Sequence, residues 1–209
     1  MRRKHGPRAF AAALVVAATL AAGLLAGCGS GESATASAGL PRVPGADSVP
    51  ARPAPPLQLT DYQGRRIDLA KLKGRPVLVA FLYTHCHDLC PIVAGKVHTA
   101  FAHLAPGLKP TFLAVSVDPA HDTPASAIAF NRRHRTDGEI DWLLGSRPEL
   151  ERTWKAWGIK PERSKSDPED IEHSAEIFAL DPQGCIRALY PPDFKPARLA
   201  AGVERLASL

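Results

Sequence analysis

Apolar residues between positions 57 and 209 fall into short continuous runs and helical stripes that alternate along the chain. Residues 76–83 and 112–117 are continuous apolar runs of strand length, typical of strands that are buried on both faces. Between them, apolar residues recur at helical spacing after Pro91, a residue that suits the first turn of a helix. The members of this stripe are Ile92, Val93, Val97, Ala100, Phe101 and Leu104. The order predicts a strand–helix–strand unit.

Turn and cap signals predict the rest of the domain. Residues 57–60 and 66–69 flank the turn sequence 61–64, so a short hairpin opens the domain. The remaining predicted elements are a helix from Thr123-Pro124, a strand over 142–144, a helix from the capping box of Ser146 and Glu149 to Gly158, strands over 175–180 and 185–189, and a last helix with Leu199, Val203 and Leu206. We therefore expect an α/β fold with a mixed central sheet flanked by helices and an N-terminal β-hairpin extension.

The first 27 residues have the composition of an export signal. Basic residues before position 9 precede an apolar run from Ala9 to Gly27, and the sequence 25–28 resembles a bacterial lipobox. The alternative is an uncleaved helix that spans the bilayer. We expect residues 1–27 to be a lipoprotein signal peptide and Cys28 to carry the lipid. The protein would then be anchored at the extracytoplasmic face of the bacterial cell membrane.

A second N-terminal segment, residues 28–56, is rich in Gly, Ser, Ala and Pro and has no periodic apolar pattern. Such a composition cannot bury a core, so we expect a flexible tether that follows the lipidated cysteine. The sequence therefore predicts three regions: the signal peptide, this tether and a folded domain over residues 57–209.

The charge of the chain gives no support to nucleic acid as a partner, and we expect none. The formal net charge is +5, but four of the 26 basic residues precede Cys28, where no acidic residue lies. Without them 22 basic and 21 acidic residues remain, a net charge of +1. A nucleic-acid-binding domain needs a basic face, which this balance does not provide.

Two cysteines lie where the first long strand gives way to the first helix. Cys86 and Cys90 are four residues apart, so they face the same side once the helix forms. A helix N-terminus stabilises negative charge and lowers thiol pKa values. A thiolate pair there can exchange disulfides or hold a soft metal such as Cu(I), for which histidine is a common further ligand.

Three segments of the chain resemble signatures of the Sco/SenC family. Residues 81–91 resemble its copper-site motif, and residues 116–119 with 122–124 are similar to its second signature. Residues 172–174, ahead of the strand that ends at 180–184, are similar to the third signature, which carries the histidine ligand. The sequence departs from the common pattern at His87, where proline is frequent, and at Glu172, where aspartate is frequent. The resemblance covers essentially all of residues 57–209.

The resemblance implies a thioredoxin-like fold and a metallochaperone. It implies copper, as Cu(I) or Cu(II), bound by Cys86, Cys90 and His173. It also implies delivery to the binuclear copper site of cytochrome c oxidase, with the copper-site domain of subunit II as the partner. An upstream copper donor or a thiol reductant would act on the protein itself.

Two enzymatic alternatives use the same cysteines. Cys86 and Cys90 could be the redox pair of a thiol-disulfide oxidoreductase for exported proteins, an activity that the resemblance also permits. A dedicated reductase more usually has two intervening residues and a proline before the strand at 175, where this chain has His173-Ser174. A thioredoxin-like peroxidase would need a cradle around one lone cysteine, and the sequence has no such pattern.

The other residues that could carry chemistry have simpler interpretations. We expect His85 and His87 to be exposed at the junction, Asp118 to cap a turn, and Cys185 to be a small buried strand residue. The histidines without shared ligand spacing are expected to be solvated: His98, His103, His121 and His134. The tryptophans at 142, 154 and 157 are expected to lie in the core.

Overall fold

The computed structural model of the protein describes residues 40–167 and 169–209. The expected signal peptide and lipidated Cys28 lie outside the described residues. In the described part, the strands are β1 (Asp47–Pro53), β2 (Gln58–Asp61), β3 (Arg66–Asp68), β4 (Val77–Leu82), β5 (Thr111–Ser116), β6 (Ile140–Leu144), β7 (Glu162–Arg163), β8 (Ile171–Glu172), β9 (Ile177–Leu180) and β10 (Cys185–Tyr190). The α-helices there are α1 (Leu89–Phe101), α2 (Pro124–His134), α3 (Arg147–Trp157) and α4 (Pro196–Ala207). None of these helices is long and apolar enough to cross a membrane.

Eight strands form one mixed sheet in the order β1-β10-β9-β4-β5-β6-β2-β3. The central strands β4, β5 and β6 are parallel, and the outer pairs are antiparallel. The expected hairpin is β2 with β3, and it extends the sheet by pairing β2 with β6. Since β4 and β5 run in parallel, their carboxyl ends meet at one edge, where ligands commonly bind in α/β sheets.

The folded domain begins earlier than the sequence predicts. Residues 47–53, expected to belong to the tether, form β1 and pair antiparallel with β10, from Asp47 opposite Leu189 to Pro53 opposite Cys185. Backbone hydrogen bonds to β10 stabilise this strand, and its sequence has no periodic apolar pattern that would predict it. Its prolines are tolerated because it is an edge strand. Val43 is buried as well, at 2% exposure. The expected boundary at residue 57 is therefore wrong.

The core lies on and around the central strands, as their apolar runs predict. All six residues of β4 are buried, and the side chain of Trp142 in β6 is fully buried with its indole N–H donating to the Asn131 side chain over 3.1 Å. Trp154 and Trp157 are also buried, which confirms the expected core role of the tryptophans. The stripe predicted for α1 is correct at Val93, Val97 and Ala100. It is wrong at Ile92, which is 46% exposed in the first turn of the helix.

Candidate metal centre

The two cysteines lie in the loop after β4 and in the first turn of α1. Cys86 is partly exposed in the loop, whereas Cys90 is buried within the helix, and both are free thiols. The backbone N–H of Cys90 donates to the Cys86 sulfur over 3.3 Å. The spacing of four residues thus turns one sulfur toward the N–H groups of a new helix, as the sequence predicts.

The two thiols differ in acidity because one donates to the other. The Cys90 thiol donates a hydrogen bond to the Cys86 sulfur, which lowers the pKa of Cys86 to about 5 despite the opposing effect of burial. Backbone N–H groups at the start of the helix add to the lowering. The same bond and burial raise the pKa of Cys90. The pair therefore holds one negative charge, on the more accessible sulfur.

This asymmetry predicts the pH dependence of alkylation. Because the thiolate is the nucleophile, the rate of Cys86 modification by iodoacetamide should rise with pH through a midpoint near about 5 and level off above it. In a Cys90→Ala variant the midpoint should move up toward the value of an ordinary thiol, since the donating S–H is lost. Mass spectrometry of the reduced protein after timed alkylation measures both profiles. A wild-type midpoint above about pH 8 would contradict the assignment.

His173 lines the same cavity as the cysteines. The cavity, of about 240 Å³, is bordered by the α1 first turn on one side and by residues 170–173 on the other. The Nδ1 atom of His173 lies 2.8 Å from the carbonyl oxygen of Ser174. A carbonyl only accepts, so Nδ1 carries the proton and Nε2 keeps a lone pair for a metal.

Tyr83, which the sequence shows only as the end of an apolar run, links both sides of the cavity. Its hydroxyl donates to the Asp170 carboxylate and accepts from the Ile171 N–H over 3.3 Å. Its ring meets the His173 ring edge-on, with the ring centres 6.3 Å apart. Burial and the bond to Asp170 raise the Tyr83 pKa, so the phenol stays protonated. Tyr83 thereby fixes the segment that carries His173 against the cysteine loop.

The three predicted ligands border one cavity but do not form a closed cage. In the part of the chain that the structure describes, no three His, Cys, Asp or Glu side chains are already close enough to hold a metal ion together. The donor chemistry nevertheless fits copper, because thiolates favour Cu(I) and imidazole binds either oxidation state. The residues that would hold the ion are Cys86, Cys90 and His173.

The other histidines in the described part of the chain lie outside this cavity. His85 and His87 are exposed, as expected, and the His85 ring faces His121 with ring centres 5.7 Å apart. His98 and His121 are not simply solvated: His98 Nδ1 lies 3.0 Å from a Glu139 oxygen, and His121 makes a similar contact with an aspartate. Neither pairing follows a sequence spacing that marks a ligand set. Cys185 is fully buried in β10, as predicted.

Two aspartates beside the cysteine loop have larger roles than the sequence indicates. The Asp122 carboxylate accepts from the Thr84 N–H over 2.8 Å and from the Thr84 and Ser116 hydroxyls. The Asp118 carboxylate contacts His121 over 2.6 Å and the Arg163 guanidinium over 3.3 Å, whereas the turn N–H groups of His121 and Asp122 bond to the Asp118 backbone carbonyl. Both lie at the carboxyl end of β5, beside the carboxyl end of β4.

Comparison with known proteins gives a consistent result. The family model described as SCO1/SenC matches residues 46–208. Protein SenC of Rhodobacter capsulatus is 28% identical over 162 residues, which cover 76% of this chain and 72% of the relative. The copper-bound structure of ScoI from Bradyrhizobium japonicum superposes with a TM-score of 0.60 at 27% identity, covering 73% of this chain and 98% of that chain.

A third similarity bears on the fold. The structure of BsSco, described as a member of the Sco family of cytochrome c oxidase assembly proteins, is 20% identical and covers 78% of this chain and 99% of that one. This comparison supports the fold alone. Together with the mixed sheet and its four helices, these similarities confirm the expected thioredoxin-like architecture.

Proposed function

Because this chain belongs to the SCO1/SenC family, we propose that it is a metallochaperone that carries copper at Cys86, Cys90 and His173. The observation that carries the proposal is the shared cavity, which brings two thiols and an imidazole with a free Nε2 to one space. These donors suit Cu(I), and a thiolate–imidazole set also accepts Cu(II).

The residues of the cavity would have different roles in binding and releasing the copper ion. Cys86 offers a thiolate at neutral pH, and Cys90 supplies the second sulfur from within the helix, losing its proton when the metal binds. Tyr83 holds the His173 segment in place. Because Cys86 is partly exposed, the metal-binding groups of another protein can reach this ligand. Leu89 and Ile92 are exposed apolar residues of α1 and are available for contact with a client.

The client we propose is the binuclear copper site of cytochrome c oxidase, in the copper-site domain of subunit II. Support comes from the family signatures in the sequence and from the match to the SCO1/SenC family model. A second candidate function is thiol-disulfide exchange with exported proteins. It is favoured by one observation, the low pKa of Cys86 beside the buried thiol of Cys90, which resembles a nucleophilic and resolving pair.

A His173→Ala variant separates the two functions. Thiol-disulfide exchange needs only an attacking thiolate and a partner sulfur, so the Cys86–Cys90 reduction potential should stay nearly unchanged. Copper affinity should fall by at least about tenfold, because a metal held by three ligands loses one. Competition with a Cu(I) chelator measures affinity, and equilibration with glutathione measures the potential.

The same variant decides the question in the cell. His173→Ala should lower cytochrome c oxidase activity, and added copper should partly restore it. Full oxidase assembly with His173→Ala, together with its loss in Cys86→Ser, would show that only the thiols matter and would favour the oxidoreductase. His103→Ala is the matched control, since that exposed histidine bonds to the Thr99 carbonyl away from the cavity.

We also propose that the protein is a lipoprotein on the extracytoplasmic face of the cell membrane. The support is the lipobox-like sequence that ends at Cys28, followed by a linker rich in Gly, Ser and Pro. Cys28→Ala should abolish lipid attachment and leave an uncleaved precursor or a released protein. Mass spectrometry of the membrane fraction measures this. A wild-type protein with residues 1–27 intact and no lipid would refute the proposal.

A further inference from the structure

A pair of histidines lies beside the cysteine loop and outside the cavity that holds the three proposed ligands. His85 precedes Cys86, and His121 lies in the loop after β5. Their rings are 5.7 Å apart between centres, with an angle of 68° between the planes. Both are accessible: His85 is exposed, and the His121 side chain is 54% exposed.

The hydrogen bonds of His121 leave one ring nitrogen free for a metal. Its Nδ1 atom lies 2.6 Å from the Asp118 carboxylate. Because a carboxylate accepts, Nδ1 carries a proton, and in the neutral ring Nε2 is the nitrogen with the lone pair. Asp118 is itself buried and contacts Arg163, so the carboxylate fixes the orientation of the ring. A carboxylate behind a histidine is the usual arrangement for an imidazole that binds a metal.

The same reasoning applies to His85 through a different partner. Its Nδ1 atom lies 3.1 Å from the Thr84 hydroxyl oxygen. Thr84 donates its single hydroxyl proton to Asp122 over 2.7 Å, so toward His85 it can only accept. Nδ1 of His85 is then the donor, and Nε2 is left with its lone pair. Both rings are thus in the tautomer that can bind a metal through Nε2.

The spacing of the rings suits a single ion. A metal about 2.0 Å from each nitrogen lies about 3 Å from each ring centre, so centres 5.7 Å apart are within the span of one ion. Among divalent first-row metals, Cu(II) binds imidazole most strongly. We propose that His85 and His121 form a second, solvent-accessible site for Cu(II), completed by water.

This site is independent of the thiols, although its role rests on the proposed copper function. It lies one residue from Cys86, so an ion held there is close to the carrier site. The site therefore provides a position at which Cu(II) can be held before or after it occupies the cysteine site in the same oxidation state. Binding by imidazoles alone needs neither Cys86 nor Cys90.

The test uses the purified, tag-free full-length protein with Cys86 and Cys90 both changed to serine. Titration with Cu(II), followed by electron paramagnetic resonance, should show one equivalent of copper with nitrogen ligands. Adding His121→Ala or His85→Ala to this background should weaken binding by about tenfold or more. Adding the control His103→Ala should leave the affinity within about twofold. Circular dichroism confirms that each variant is folded.

The alternative outcomes are distinct from those of the proposed function. If the double-serine protein binds no Cu(II), or keeps its affinity after His121→Ala, the second site does not exist. Loss with His87→Ala but not with His121→Ala would also overturn it. A His85→Ala, His121→Ala variant with intact cysteines should still bind Cu(I), so failure of the cysteine site is scored separately.

Discussion

Changing Cys86 and Cys90 together to serine is expected to remove tight Cu(I) binding from the protein. Serine hydroxyls are hard, weak ligands for Cu(I), and they stay protonated at neutral pH, so both soft donors are lost at once. We expect the affinity to fall by at least about 100-fold, or roughly 2.7 kcal/mol at 25 °C. Competition with a chromophoric Cu(I) chelator under anaerobic conditions measures the change.

The double variant must be shown to keep its fold. Serine is close in size to cysteine, and Cys86 is partly exposed, so any loss of stability should come from the buried Cys90 position. His103→Ala serves as a control just beyond the other end of α1, and it should bind Cu(I) like the wild type. Equal Cu(I) affinity in the folded double variant and the wild type would exclude these cysteines as the carrier site.

The sequence predicts the central part of the fold well because its signals are local. The buried run that becomes β4 and the caps that begin α2 and α3 are each contained in a few neighbouring residues. The capping box of Ser146 with Glu149 is formed as expected, and Thr123 caps α2 as expected, in a box with Ser126 that was not predicted. Apolar periodicity and helix capping each involve residues within one or two helical turns of one another, so both can be recognised in the sequence.

The strand β1 could not be predicted in this way. Most of its residues are polar or proline, with only Val49 and Ala51 apolar, and it pairs with β10 from Asp47 opposite Leu189 onward. Such pairing depends on a strand some 140 positions away in the chain. Two apolar residues, of which Val49 packs against the core, are too few to give a periodic signal, so the backbone pairing with β10 could not be read from the sequence.

In the candidate site, too, some features follow from local sequence signals and others depend on contacts between distant segments. The cysteine pair and His173 were predictable as ligands from short motifs. Tyr83, Asp118 and Asp122 also lie in the family signatures, but the contacts that they make were not predictable from the sequence. Tyr83 looks like the end of an apolar strand, and its contact with Asp170 spans 87 positions. The aspartates lie near the cysteine loop only because the parallel pairing of β4 and β5 brings the loops after these strands together.

The meeting of these two loops explains why a buried carboxylate lies next to the cysteines. The loop after β4 must turn sharply into α1 so that both sulfurs face one cavity, and its Thr84 N–H needs an acceptor. Asp122, from the neighbouring loop, accepts from both the N–H and the hydroxyl of that threonine. Burial raises the pKa of Asp122, and the hydrogen bonds from Ser116 and Thr84 counter that effect. The Asp122 carboxylate therefore connects the two loops through hydrogen bonds.

An Asp122→Ala variant is expected to show the largest loss of stability outside the apolar core. The change leaves three buried donors without their acceptor: the Thr84 N–H and the hydroxyls of Thr84 and Ser116. The hydroxyls can rotate toward other acceptors but the N–H cannot, so we expect a loss of roughly 2–4 kcal/mol in the free energy of unfolding. Urea denaturation monitored by tryptophan fluorescence measures it.

Two further variants test whether the loss of stability comes from the missing hydrogen-bond acceptor. Asp122→Asn keeps an acceptor oxygen of the same reach, so it should be less destabilising than the alanine variant. Asp137→Ala, at an exposed turn position, should change stability by no more than about 0.5 kcal/mol. The alanine variant should also bind Cu(I) more weakly even where it is fully folded, because the loop that presents Cys86 has lost its fixed point. Wild-type stability in Asp122→Ala would show that the two loops hold together without the carboxylate.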